Sequence, residues 1–150
     1  MNSLKIKIHA YYLQQVSDKI DAFRDMIAAL TEDASNDAKG SAGDKHETAL
    51  SMMHLEQEKL NHKIREFLEQ KAVLEKIDPL AITTKVTLGS LVKANSMFLY
   101  VSAALPKITI DGEAIIALSP QSPLGMKMIG MQVGDEFGIG NTVYKIENIY

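Results

Sequence analysis

Two stretches decide the fold, IKIHAYYLQQVSDKIDAFRDMIAAL at residues 6–30 and LSMMHLEQEKLNHKIREFLEQKAVL at residues 50–74. In both, mostly apolar residues are separated alternately by three and four positions, which places them on one stripe of a helix. A stripe with this heptad repeat is typical of the seam between packed helices. Because the two stripes match in reverse order, the sequence predicts an antiparallel helical hairpin that folds back near Gly40.

The matching positions also predict a register, in which Phe23 faces Gln57. We expect one helix from about residue 4 to about residue 31 and a second from about residue 45 to about residue 77, each on the order of 40–50 Å long. A hairpin of that length would hold its tip, residues 32–47, far from the rest of the protein. The stripes consist of Ile6, His9, Leu13, Val16, Ile20, Phe23, Ile27 and Leu30, and of Leu50, Met53, Gln57, Leu60, Ile64, Phe67, Lys71 and Leu74.

A few residues do not fit a simple apolar seam. Gln57 and Lys71 are polar members of the second stripe, and polar seam residues usually fix the register at some cost in packing. Met52 and Leu55 lie beside the stripe. We expect them to thicken the hairpin core rather than to form a contact patch.

The composition of the chain changes at Ile77-Asp78-Pro79. All four prolines and seven of the nine glycines lie from Pro79 onward. Since proline cannot continue a helix, the second helix should stop here. The sequence therefore predicts a hairpin domain of residues 1–77 and a second domain of residues 78–150.

The second domain is predicted to be a small, mostly antiparallel sheet with one short helix, so that the fold class is α+β. Asp111-Gly112 and Gly140-Asn141 are turn signals between apolar runs. Ser122-Pro123 should open the helix, with serine as N-cap and proline at the first helical position. The predicted strands are Thr83–Leu88, Met97–Ala103, Lys107–Ile110, Glu113–Leu118 and Val143–Ile149.

The bulk composition excludes several functions. The net charge of −3 provides no global attraction to nucleic acid, so direct DNA binding is disfavoured. The absence of cysteine excludes disulfides, thiolate metal sites and thiol nucleophiles. No apolar run approaches the roughly 20 residues that cross a bilayer, and the N-terminal residues lack the apolar core of a signal peptide. We therefore expect a cytoplasmic protein with no membrane association.

The tip of the hairpin contains the carboxylates that could bind a metal ion. Its first part, residues 32–43, is mostly small or acidic, and Asp44 and Glu47 follow it. An Asp-x-x-Glu pattern at a helix start is typical of a capping box, in which both carboxylates only stabilise the helix. The alternative is that the two carboxylates are delivered to a metal ion. Since Mg²⁺ prefers about six oxygen ligands, a partner would then have to supply the rest.

Two segments resemble the Gre-type bacterial transcript-cleavage factors, GreA and GreB, which act on RNA polymerase. Residues Gly43–Ala49, GDKHETA, are similar to the Gly-Asp-x-x-Glu-Asn-Ala motif at the tip of that family's coiled coil. Residues Ser119–Asp135, SPQSPLGMKMIGMQVGD, are similar to its Ser-Pro, short-helix, Ile-Gly-x-x-Val-Gly-Asp signature. The resemblance implies a coiled coil followed by an FKBP-like domain.

The resemblance also implies a bacterial elongation factor that is not itself an enzyme. The FKBP-like domain would dock on RNA polymerase, through Ser122, Pro123, Leu124 and Gly125. The tip would enter the secondary channel, where Asp44 and Glu47 share a catalytic Mg²⁺ with the polymerase and stimulate cleavage of backtracked RNA. It would bind no cofactor tightly, touch nascent RNA only indirectly and bind no DNA on its own.

The sequence leaves other functions open. Thr48 stands where the family has Asn, and Leu50-Ser51 replaces its Glu-Tyr. These departures bear on cleavage more than on polymerase binding, so a non-cleaving regulator or inhibitor that occupies the same channel is the alternative. A structural adaptor, in which Asp44 and Glu47 only cap the helix, is a further alternative. A prolyl isomerase is disfavoured because the second domain has no tryptophan and few aromatic residues to build a proline pocket.

Overall fold

The structure, a computed structural model, describes residues 2–38 and 43–150, with the side chains of residues 3–36 and 47–150. In this part of the chain, two long helices are followed by six strands and one short helix. The helices are α1 Asn2–Ala38, α2 Gly43–Glu75 and α3 Pro123–Met128, and the strands are β1 Leu91–Ala94, β2 Met97–Val101, β3 Leu105–Ile110, β4 Glu113–Leu118, β5 Glu136–Ile139 and β6 Thr142–Ile149. The predicted α+β class, a helical hairpin followed by a sheet domain with one short helix, is confirmed.

The chain forms two compact units. The hairpin unit is Gln14–Lys71, and the sheet unit combines the segment ending at Leu13 with Ala72–Tyr150. The first turns of α1 and the last residues of α2 therefore belong to the sheet unit. The predicted boundary at residues 77 and 78 marks the change of composition along the chain and stays a prediction.

In the hairpin unit, the two predicted stripes are the least exposed faces of the helices. Val16, Ile20 and Ile64 are buried, and the other stripe members of this unit are half-buried. The helical pattern of apolar residues therefore identified the faces of α1 and α2 that meet.

The predicted register of the hairpin is wrong. The ring of Phe23 packs edge-to-face against Phe67, with centroids 5.2 Å apart, rather than against Gln57. The Gln57 amide instead donates to the Thr31 hydroxyl at 2.9 Å. A heptad pattern looks the same after a shift of whole heptads, so apolar spacing alone permits several registers. The observed register joins two aromatic rings and gives the Gln57 amide a polar partner.

The predicted end of the first helix is also wrong. Instead of ending near Thr31, α1 continues to Ala38, whereas α2 begins at Gly43, within two residues of its predicted start. The segment after Thr31 contains no proline, and its first glycine is Gly40, so its composition does not stop the helix. Residues 39–42, where the hairpin is predicted to turn, lie outside the described residues.

The sheet has the strand order β3-β4-β2-β1-β6-β5. It is mostly antiparallel, as predicted, and β2 and β4 form a parallel pair. Asp111-Gly112 connects Ile110 to its partner Glu113, and both turn residues have the positive φ that a two-residue hairpin turn requires. Gly140-Asn141 connects Ile139 of β5 to its partner Thr142 of β6, and there Gly140 has the positive φ.

The predicted strand Thr83–Leu88 is wrong. These residues form no strand, because Val86 pairs instead with the segment after α3: its N–H donates to Met131 O at 2.9 Å, and its carbonyl accepts from Gly130 N at 2.8 Å. Two further strands, β1 and β5, were not predicted from the sequence. With three of its four side chains buried, β1 lacks the alternation that marks a strand with one face in water.

The first turns of α1 carry a second apolar face that packs within the sheet unit. Leu4, Ile8 and Tyr12 are spaced by four and are all buried. The Tyr12 hydroxyl donates to the Pro106 carbonyl at 2.7 Å. The buried Lys5 ammonium donates to the carbonyl of Ala81 at 2.7 Å and to the main-chain oxygen of Tyr150 at 3.1 Å. None of the described helices is both long and apolar enough to span a membrane.

Candidate functional site at the start of the second helix

The predicted carboxylate pair lies in the first residues of α2. Since α2 begins at Gly43, Asp44 is its second residue, and Glu47 follows three positions later. Side chains three apart on a helix lie on the same side, with Cβ atoms about 5–6 Å apart. Glu47 is exposed to solvent. The side chain of Asp44 lies outside the described residues, so the pairing of the two carboxylates stays a prediction.

The capping box and the metal-binding alternative both stay predictions, because the side chain of Asp44 lies outside the described residues. Asp44 lies in the first turn of α2 and Glu47 at the start of the second turn, near the helix end where the dipole favours negative charge. Two carboxylate oxygens are hard ligands of the kind that Mg²⁺ takes, and the ion usually retains several waters beside them. Among the described side chains, no three aspartate, glutamate or histidine residues are grouped so that they could hold a metal ion.

The predicted docking residues build the start of α3. The Ser122 hydroxyl accepts a hydrogen bond from Gly125 N at 3.0 Å and donates one to the Ser119 carbonyl at 2.7 Å. Pro123 is the first residue of the helix, as predicted. At Gly125, a Cβ atom would collide with the main-chain oxygen of Ser119, so this close approach requires glycine.

These residues differ in how far a partner could reach them. Gly125 is buried and Leu124 packs against the core of the sheet unit, whereas Pro123 is exposed. Beside Pro123 lies a shallow, mainly apolar groove of about 440 Å³, which Met126 and Ile139 also line. Met126 is 67% exposed. Met126 was not predicted as a docking residue, although it lies within Ser119–Asp135 and on α3, where Gly125 and Met128 are buried.

The expectation that Met52 and Leu55 thicken the hairpin core is wrong. Met52 is 66% exposed and Leu55 is 61% exposed. Both residues lie next to the seam stripe rather than on it, and a two-helix hairpin has no third element to cover that side. They form an apolar surface on the part of α2 that follows Glu47.

Among known proteins, a solved structure of a Gre factor homolog is similar to this chain. It is the structure of the GreA factor homolog 1 (Gfh1) protein of Thermus thermophilus, with 14% sequence identity over 92% of this chain and 94% of that chain and a TM-score of 0.35. No family model and no curated protein matches this chain.

Proposed function

We propose that this protein is an accessory factor of RNA polymerase that stimulates the cleavage of backtracked RNA. The observation that carries the proposal is the position of the Gly43-Asp44-x-x-Glu47 motif. It opens α2, directly after the segment that joins two helices of 37 and 33 residues. A channel wide enough for a helical hairpin would admit this end of the hairpin unit first.

The chemistry asked of the two carboxylates is limited. Mg²⁺ polarises phosphoryl oxygens and lowers the pKa of a bound water, and the polymerase would own that ion. Glu47 would add one carboxylate to the ion from an exposed position, with Asp44 as the second ligand. Because the Glu47 side chain is exposed, the protein needs no rearrangement to present it. The polymerase would keep all other catalytic groups, so that the factor has no independent active site.

The proposal can be tested on RNA polymerase that has been walked into a backtracked complex. The protein should shorten the RNA from its 3′ end. We expect Asp44→Asn and Glu47→Gln each to slow this cleavage by about tenfold or more, since each removes one anionic ligand of the ion. Glu58→Gln removes an exposed carboxylate elsewhere on α2 and is the matched control. Equal cleavage by the wild type and both variants would overturn the proposal.

A second candidate is a non-cleaving regulator of the same polymerase, because Thr48 and Leu50-Ser51 depart from the family at positions that bear on cleavage more than on polymerase binding. It predicts co-purification with RNA polymerase and an altered elongation rate, while the RNA keeps its 3′ end. Failure to co-purify would remove both candidates. The structural adaptor would then remain, and in that case Glu47→Gln would change only the stability of the protein, by about 1 kcal/mol or less.

A further inference from the structure

We propose that a groove on the hairpin unit binds an amphipathic helix with a basic polar face. The groove lies between the C-terminal half of α1 and the N-terminal half of α2 and encloses about 360 Å³. Leu30, Ala34 and Met53 contribute apolar side chains to it, and Asp33 and Glu56 contribute acidic ones. This proposal does not rest on the proposed function, because the described residues that line the groove include neither Asp44 nor Glu47.

The shape of the groove suits a helix. Leu30, Asp33 and Ala34 share one side of α1, and Met52, Met53 and Glu56 share one side of α2, because residues three and four apart on a helix are neighbours. The groove therefore follows two helices that pack side by side. A third helix that lies along such a groove buries its apolar stripe between them, as in a helical bundle.

The apolar side chains around the groove are open to solvent. Met52 is 66% exposed, Leu55 next to it on α2 is 61% exposed, and Met26, one turn before Leu30 on α1, is 47% exposed. Adjacent exposed apolar residues on a soluble protein mark an interaction surface. Methionine side chains are flexible and polarisable, so they adapt to the side chains of a partner.

The negative charge around the groove favours a basic partner. Residues 21–60 contain nine acidic and four basic residues, a net charge of −5 against −3 for the whole chain. Asp33 and Glu56 place negative charge on both sides of the groove. An acidic rim attracts a helix with lysine and arginine beside its apolar stripe. It repels nucleic acid and a second copy of this chain, because both would bring like charges together.

Synthetic peptides provide a direct test. The probe is an 18-residue peptide of leucine and lysine, with leucines spaced by three and four, labelled with a fluorophore and titrated by fluorescence anisotropy. We expect it to bind at least tenfold more tightly than a leucine–glutamate peptide of the same pattern or a leucine–lysine peptide with scrambled order. If the scrambled peptide binds as tightly as the patterned leucine–lysine peptide, the proposal is overturned, because binding would then not depend on an apolar stripe along a helix.

Variants of the protein locate the binding. Met52→Ser with Leu55→Ser should weaken binding of the helical probe by at least tenfold. The matched control is Leu80→Ser with Met126→Ser, two residues of the sheet unit with 65% and 67% exposure. Because all four side chains are exposed, the variants should keep the fold, which circular dichroism checks. A groove variant that binds like the wild type while its helix content is intact would overturn the proposal.

The acidic residues of the groove, Asp33 and Glu56, can be tested by substitution. The double variant Asp33→Asn with Glu56→Gln should weaken binding of the helical probe and make that binding less dependent on salt. The matched control is Glu69→Gln with Glu75→Gln, which removes exposed carboxylates outside residues 21–60 and should have a smaller effect on both. Sedimentation of the protein without peptide tests whether a second copy of this chain occupies the groove. If the protein alone forms a dimer, and the double variant Met52→Ser with Leu55→Ser is monomeric, then a second copy of the chain fills the groove. That result would overturn the proposal.

Discussion

Single residues in the first turns of α1 bring ionisable groups into the sheet unit. His9 Nδ1 and the Tyr100 hydroxyl form a buried hydrogen bond of 2.8 Å. Burial lowers the pKa of His9 from its ordinary 6.5, and the nearby Lys5 ammonium lowers it further. Burial also raises the pKa of Tyr12 to about 12 and raises the pKa of Tyr100. Both tyrosines therefore stay neutral at ordinary pH, and so does His9 at pH values above its usual range.

The lowered pKa of His9 gives the stability of the protein a defined pH dependence. Below pH 6.5 the unfolded chain takes up a proton on this histidine before the folded protein does. The stabilisation is therefore complete above pH 6.5 and is lost as the pH falls towards the lower pKa of the folded state. We expect the free energy of unfolding, measured with urea, to be smaller at about pH 5.5 than at about pH 7.5.

The variant His9→Gln should reduce this loss, because glutamine carries no titratable group. His54→Gln, which changes an exposed imidazole of α2, is the control and should leave the pH dependence close to that of the wild type. If His9→Gln and the wild type lose the same stability between the two pH values, the His9 imidazole is not the group responsible.

The sequence predicted some residue roles and missed others for a common reason. Ser122 and Pro123 were identified because a helix start depends on local backbone chemistry, which a dipeptide can encode. The contact of His9 with Tyr100 joins residues that are distant in the chain, and neither has a local signature. His9 even has the spacing of a seam residue, although its polar partner lies on β2.

At the scale of elements, the register of the hairpin is decided by specific pairs rather than by the repeat. Phe23 and Phe67 meet edge-to-face, and the Lys19 ammonium lies 5.6 Å from the centroid of the Phe67 ring. An aromatic pair and a cation near an aromatic ring are both stabilising contacts. A shift by one heptad would keep the apolar stripe together but separate these partners.

A double-mutant cycle tests the observed register. Phe23→Leu and Phe67→Leu should each destabilise the protein, and their effects should be coupled by about 0.5–1.5 kcal/mol because the two rings touch. The matched control pairs Phe67→Leu with Leu30→Val, a change about two turns further along α1, where the effects should add. Additive effects of the two phenylalanine variants would contradict the register.

Elements were predictable where their pattern is local. The faces of α1 and α2, the turn at Asp111-Gly112 and the extent of β4 follow from periodicity and turn chemistry. β1 could not be predicted, because a central strand of four largely buried residues resembles any short apolar run. The carboxylate pair was selected by motif alone, and its metal-binding role remains a prediction.

At the scale of the whole molecule, burial is distributed unevenly. In the sheet unit, β1 and β2 contain several side chains with no exposure, including Val92, Phe98 and Leu99. In the hairpin unit, residues 21–36 and 47–60 contain far fewer buried side chains. Of these residues only Ala34 is buried, and the seam residues are half-buried. Since buried apolar contacts determine local stability, the two regions should open with different free energies.

Hydrogen exchange followed by mass spectrometry measures this difference. We expect peptides that cover β1 and β2 to be protected longest, and peptides from residues 21–36 and 47–60 to exchange earlier by about tenfold or more. Adding the leucine–lysine probe should slow exchange in the second group if the groove binds it. Uniform protection across both units would show that the whole chain opens as one cooperative body.

The composition of the sheet unit has a consequence for how the protein is made. This unit needs the first turns of α1 and also β6, which pairs with the central strand β1. A ribosome releases the first turns of α1 before it releases β6. The hairpin unit can fold as soon as residue 71 has emerged, while the face of Leu4, Ile8 and Tyr12 remains uncovered until the strands of the sheet unit have emerged as well. During that interval the nascent chain presents an apolar helix face, and we expect chaperones that bind emerging polypeptides to bind it there.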